Sequence, residues 1–243
     1  MPMNFAPPIR KVHISRRHAL RLIGGAVAAI NRGGRASAET PSTMPSCIVR
    51  PEQTEGPYFV DEKLNRADIR SDPLDHLTRP GAPLRLEFQV SRVAGGACAP
   101  LDGAVVDVWH CDALGVYSDV RDAGFDTRGK KFLRGYRITD AKGVAQFLTI
   151  YPGWYAGRAV HIHFKIRSAI SGARAREFTS QLYFDEAVTD QVFKEAPYSG
   201  KNGRRTRNDA DFIFRHGGDQ LLVTPTKDSL GYTVKFDIGV QLT

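Results

Sequence analysis

From Pro83 onward the chain alternates apolar and polar positions in short runs. LRLEFQV (84–90) puts Leu84, Leu86, Phe88 and Val90 at every second position, the period of a strand with one buried face. Runs rich in β-branched, aromatic or aliphatic residues recur at AVVDVWHC (104–111), KFLRGYRIT (131–139), AQFLTI (145–150), AVHIHFKI (159–166), SQLYF (180–184) and YTVKFDI (232–238). Turn signals separate them: AGG at 94–96, DAKG at 140–143, PG at 152–153 and SG at 171–172. Many short strands joined by turns predict an all-β sandwich or barrel. DEAVTDQVFKEA (185–196) alone reads as a helix, with Val192 and Phe193 towards its apolar side. Ahead of the strands, residues 40–70 are rich in proline, which favours extended and turn structure over helix. No internal repeat or low-complexity tract interrupts the pattern, so residues 39–243 read as one domain.

Composition changes this picture little, but the distribution of charge changes it more. Of 243 residues, 42% are hydrophobic and 25% charged, enough for one substantial core. The formal charge of +8 is concentrated at the N-terminus. Residues 1–38 hold seven of the 34 basic side chains and no acidic one, which leaves 27 basic against 26 acidic residues elsewhere. A phosphate-binding face is therefore not expected, and neither is a nucleic-acid partner. The local cluster KNGRRTR (201–207) reads as a solvated loop.

Residues 1–38 read instead as an export signal. Arg16 and Arg17 precede a short apolar run, and Ala36-Ser37-Ala38 forms an A-x-A cleavage pattern. The paired arginines fit the twin-arginine class, although Ala19 stands where a large apolar residue is more usual. The apolar run is too short for a stable membrane span. The expected location is exported, periplasmic or secreted. Of the three cysteines, Cys47 and Cys98 are the expected disulfide pair, leaving Cys111 as a thiol. No C-x-x-C offers a thiolate zinc site, and no G-x-G-x-x-G opens a helix after a strand, so no nicotinamide or flavin is expected.

The chemistry concentrates in YPGWYAGRAVHIHFKIR (151–167). His161 and His163 are i and i+2 in a strand, so they share a face, while Ile162 and Phe164 take the other. Two imidazoles on an apolar strand are costly to bury unless something satisfies them. A metal does so; a half-exposed strand with paired histidines is the bland alternative. Tyr155 lies in the Pro-Gly turn just before this strand, and Tyr117 follows the strand 104–111 and Gly115. Phenolate oxygens favour ferric iron, and imidazole suits several first-row metals. A phenol with an ordinary pKa near ~10 ionises at neutral pH only beside a cation.

These motifs resemble the intradiol ring-cleavage dioxygenases, the family of catechol and protocatechuate dioxygenases. TEGPYFVDE (54–62), PLDGAVVDVWHCDALGVYSD (100–119), FLRGYRITDAKGVAQFLTIYPGWY (132–155), GRAVHIHF (157–164) and FTSQLYFDE (178–186) occur in that family's order. The resemblance implies a β-sandwich with long loops and one or two short helices. It implies a ferric ion held by Tyr117, Tyr155, His161 and His163, with Arg158 as the active-site arginine and Gln181 near the substrate ring. Tyr58 falls at the pocket rim by the same comparison, and Tyr151 is the weaker rival to Tyr155. The implied partners are a small aromatic diol and O2, with cleavage between the two hydroxylated carbons to a muconate-type diacid. A homo-oligomer is left open.

Two features depart from the family pattern. The stretch from Tyr155 to His161 is shorter than in well-known members, so substrate identity does not carry over. The helical N-terminal dimerisation region of the catechol-type branch is also missing, and the short PGWY–GR–HIH arrangement resembles that of a branch of exported relatives. Two other readings compete. An iron(II) site of two histidines and one carboxylate would need an acid soon after H-x-H, and Glu177 comes fourteen positions after His163. A sandwich that binds aromatics or sugars without catalysis would leave the two tyrosines, two histidines and arginine unexplained.

Overall fold

The computed structural model describes residues 48–168 and 176–241. The expected signal (1–38), Cys47 and the turn at 171–172 lie outside the described residues. The alternating runs become strands. In chain order these are β1 (Pro83–Ala94), β2 (Ala97–Pro100), β3 (Val105–Trp109), β4 (Arg121–Asp122), β5 (Phe125–Asp126), β6 (Arg134–Ile138), β7 (Val144–Ile150), β8 (His161–Ser168), β9 (Arg176–Phe184), β10 (Leu222–Val223), β11 (Thr226–Asp228) and β12 (Gly231–Gln241).

Among the described residues these strands form two five-stranded sheets and one small hairpin. In the first sheet the order is β11-β12-β1-β2, with β7 also paired to β1. The two ends of the core meet here, because β1 and β12 run parallel in register from Leu84↔Tyr232 to Val93↔Gln241. The second sheet has the order β10-β9-β8-β3-β6. β8 lies at its centre, antiparallel to both β3 and β9. The hairpin pairs β4 with β5. The five strands β2, β4, β5, β10 and β11 carry no run of alternation long enough to be read from sequence; each has two to four residues.

The two sheets pack face to face. Phe88 and Phe236 of the first sheet meet Phe164 of the second at ring-centre distances of 5.2 and 5.6 Å. Leu84, Leu86, Val90, Ile162 and Ile166 are buried in the same core. This sandwich is the all-β architecture that the alternation predicts. It consumes the even-numbered face of β8, so His161 and His163 must turn outward from the inter-sheet core.

They do not meet solvent there, because the proline-rich arm crosses that outer face. Gln53 donates its N–H to the Thr179 carbonyl of β9 (2.9 Å), and Arg66 donates to Tyr136 of β6 (3.1 Å). Ion pairs reinforce the crossing: Lys165 with Glu55, and Arg167 with Asp61. β8 is consequently buried on both faces, except at Arg167.

Helix α1 (Glu186–Val192) is shorter than the predicted 185–196. Asp185 caps it, accepting from the N–H groups of Ala187 and Val188. Its C-terminal end gives way to single turns at Phe193–Glu195 and Tyr198–Gly200. The 201–207 loop is not the fully solvated segment expected from its charges. Arg205 pairs with Glu186 and Asp190, and its side chain is only 10% exposed. The helix's acidic side supplies the partners, which composition alone does not reveal. Cys98 is disulfide-bonded, and Cys111 is a buried free thiol. No helix among the described residues is long and apolar enough to cross a membrane.

Candidate active site

Four side chains converge beneath the arm. Asp112 shapes the loop that presents Tyr117: its carboxylate accepts from the N–H groups of Leu114 and Val116, both at 3.0 Å. Gly115 turns this loop with φ +86°. Tyr117 is thereby driven inward and buried. Tyr155 comes from the turn that ends where Arg158 donates its N–H to the Tyr155 carbonyl (3.4 Å). His161 and His163 enter from the outward face of β8.

The distances are those of a converging donor set. His161 Nε2 lies 3.0 Å from His163 Nε2, 3.1 Å from the Tyr155 hydroxyl and 3.5 Å from the Tyr117 hydroxyl. His161 Nδ1 is 2.6 Å from the Ala159 carbonyl oxygen, which can only accept, so the proton resides on Nδ1. The Nε2 lone pair of His161 therefore faces three neighbours at once. His163 is fully enclosed, and its Nδ1 has no hydrogen-bond partner. Such a cluster is poorly satisfied by its own protons.

Electrostatics point the same way. Burial depresses both imidazoles, His161 to about 3 and His163 well below its ordinary value. Both rings are neutral, the form that ligates a metal. Burial raises both phenols, Tyr117 further through the neighbouring Tyr155. Without a cation they stay protonated. Two phenols and two neutral imidazoles fit a hard, highly charged first-row ion. Among the described residues no group of three His, Cys, Asp or Glu converges to hold a metal. The two-histidine, one-carboxylate reading fails with it, since Glu177 is largely exposed and turned towards Lys165.

Side chains of β3 and the arm pack around this set. Trp109, opposite His163 in the β3–β8 register, stacks on its ring at 5.1 Å and 9°. Gly56 of the arm lies so close that a Cβ there would stand 3.3 Å from His163 Cε1. Tyr58 tilts over Tyr117 at 4.5 Å between ring centres and donates to Asp122. Tyr58, expected at a pocket rim, thus lies against the face of the Tyr117 ring. Tyr151, the rival ligand, is excluded: it is fully buried on the core side, where its hydroxyl meets Thr189 at 2.7 Å.

Arg158 and Gln181 meet beside the donor set. The Arg158 guanidinium donates Nη2–H to the Gln181 carboxamide oxygen, and Nε–H to Asp211 at 2.9 Å. Burial opposes its charge, but the ion pair with the buried Asp211 carboxylate helps to outweigh that and keep it protonated. Gln181 faces His163 across β8 and β9 and donates to the Thr54 carbonyl (2.9 Å). The Tyr183 hydroxyl joins them, within 3.2 Å of the Gln181 oxygen and 3.4 Å of Arg158. Tyr183 was discoverable, because i+2 from Gln181 shares its face. Asp211 carried no such signal; it lies in a loop 53 residues from Arg158 and 52 from Ala159.

A dioxygenase family model matches residues 54–209, more than half of the chain and every residue of the donor set. The chain belongs to the intradiol ring-cleavage dioxygenases. It is 33% identical over 189 residues to the protocatechuate 3,4-dioxygenase beta chain of Burkholderia cepacia, covering 70% of this chain and 72% of that one. It is 32% identical over 151 residues to catechol 1,2-dioxygenase 2 of Acinetobacter lwoffii, covering 56% of this chain and 51% of the relative. The chain thus spans about half the length of that catechol relative. Among solved structures, the intradiol ring-cleavage dioxygenase from Tetranychus urticae superposes with a TM-score of 0.69 at 30% identity. That match covers 80% of this chain and 95% of the other. The protein is therefore an intradiol ring-cleavage dioxygenase by family, with a sandwich fold to match.

Proposed function

We propose that this intradiol dioxygenase holds a ferric ion through Tyr117, Tyr155, His161 and His163. With O2 it cleaves a catechol-type aromatic between the two hydroxylated carbons, and both oxygen atoms enter a muconate-type diacid. The observation that carries this reading is the convergence of two phenol oxygens and His163 Nε2 within 3.5 Å of His161 Nε2. A bound ferric ion supplies electron withdrawal from the diol ring, which opens the ring to O2.

The chain's own residues account for the rest. Tyr155 is the less buried phenol, so its oxygen is the one suited to accept a proton from an entering diol. Arg158 lies beside it and stabilises negative charge on the deprotonated ring. Gln181, held between Arg158 and Thr54, orients the ring by hydrogen bonding. Trp109 and the arm keep water from His163. The proposal includes export, which rests on Arg16, Arg17 and the apolar run of residues 1–38.

The test is the visible spectrum of the purified chain loaded with ferric ion, before and after anaerobic catechol. A broad phenolate-to-iron band that shifts on adding catechol is expected. A colourless protein that takes up no iron overturns the proposal and leaves a binding sandwich.

A further inference from the structure

Tyr117 and Tyr155 reach the site from two separate loops, and these loops pack backbone against backbone. Gly153 donates its N–H to the Asp112 carbonyl at 3.1 Å. A Cβ at Gly153 would stand 2.4 Å from the Ala113 carbonyl oxygen, and one at Gly115 would stand 2.2 Å from that of Trp154. Side chains are thus excluded from the seam on both sides.

Lys201 enters this seam from the loop beyond α1. Its ammonium donates to the carbonyl oxygens of Leu114 and Trp154, and it lies 4.5 Å from the centre of the Trp154 ring. Leu114 belongs to the Tyr117 loop, and Trp154 immediately precedes Tyr155. One charged group therefore bonds both tyrosine-bearing loops at once, and charge-assisted bonds are the stronger kind. The indole face adds a cation–π contact. Burial lowers the ammonium's pKa from its ordinary value, so this position costs something to hold. Both hydrogen-bond acceptors are backbone carbonyls, which gives the contact a geometric consequence: it fixes main chain to main chain.

We propose that Lys201 is a positioning residue whose ammonium clamps the Tyr117 and Tyr155 loops together and so sets the separation of the two phenol oxygens. Its effect on metal binding rests on the ferric reading above; the clamp itself does not. A ligand pair held at the right separation binds a small ion without reorganising first, whereas loosened loops must be drawn together on binding.

The experiment compares the full chain with Lys201→Met, which keeps the length of the stem and removes the donors. In the metal-free protein, hydrogen exchange at residues 112–117 and 152–157 is expected to rise at least about ten-fold, with β8 and β9 unchanged. Unchanged protection in both loops overturns the clamp. In the ferric-loaded protein, affinity falls about ten-fold and the phenolate band shifts. Lys201→Cys alkylated with 2-bromoethylamine rebuilds the ammonium and restores both. Loosened loops with unchanged affinity and band overturn the positioning role. If the unsubstituted chain takes up no ferric ion, the ferric reading fails while the exchange comparison still decides the clamp. Should Lys201→Met not fold, Lys201→Gln is read by the same measurements.

Discussion

His161 and His163 bring their Nε2 atoms to 3.0 Å, while Nδ1 of His161 is already engaged by the Ala159 carbonyl. The backbone thus selects the tautomer that leaves Nε2 free to ligate. Loss of either class of ligand has a defined consequence. His161→Ala and Tyr117→Phe are each expected to weaken ferric binding by at least about 100-fold. Iron per chain after dialysis measures this, and full retention in both variants removes these residues from the ligand set.

Metal uptake has a pH dependence that follows from the same groups. Burial keeps both phenols protonated and both imidazoles neutral in the metal-free chain. Binding must then expel a proton from each phenol and none from the histidines, so ferric affinity rises by about 100-fold per pH unit near neutrality. Competition against a buffered ferric chelate gives the slope. A slope of zero would mean that the phenols do not ligate as phenolates.

Arg158 is expected to act on turnover rather than on metal content. Arg158→Ala retains iron and lowers kcat by about 10²–10³-fold; an unaltered rate excludes it from the chemistry. Its anchor, Asp211, is fully buried and accepts from Arg158 Nε–H and the Ala159 N–H. Burial alone would raise this carboxyl, but those donors hold it below the usual range. Asp211 therefore contributes stability at neutral pH that is lost as pH falls through its lowered value. Asp211→Asn should remove that acid-side loss, as read from urea melts at pH values below the ordinary carboxyl value of 3.8.

Asp107 works in the opposite sense. Burial pushes it up to about 6, against the pull of Arg167. The folded chain holds this proton more tightly than the unfolded chain. The resulting stability is full below the ordinary value of 3.8 and is lost as pH rises through about 6. The span corresponds to about 3 kcal/mol. Asp107→Asn is expected to flatten stability between those two pH values, and an unchanged slope would refute the shift.

Gly115→Ala tests the seam between the tyrosine loops. The residue has φ +86°, and the added Cβ would meet the Trp154 carbonyl oxygen at 2.2 Å. The backbone conformation alone costs about 1–3 kcal/mol, and the clash displaces Tyr117 as well. Lower stability in urea and reduced iron uptake are expected together. Wild-type values for both would show that the loops part without consequence.

The sequence by itself determined the strand pattern and the shared face of His161 and His163, because both depend only on the two-residue period of a β-strand. It also carried Tyr117, Tyr155, Arg158 and Gln181, through motif order and family resemblance. Tertiary structure alone decided which groups meet. Trp109 stacks on His163 because β3 and β8 pair in one register, and Gly56 covers that ring because the arm crosses the outer face of β8. Asp211 and Lys201 were unreadable for the same reason. Each looks like an ordinary charged loop residue until distant segments are brought together, and contact between such segments depends on sheet register and loop packing rather than on any local period.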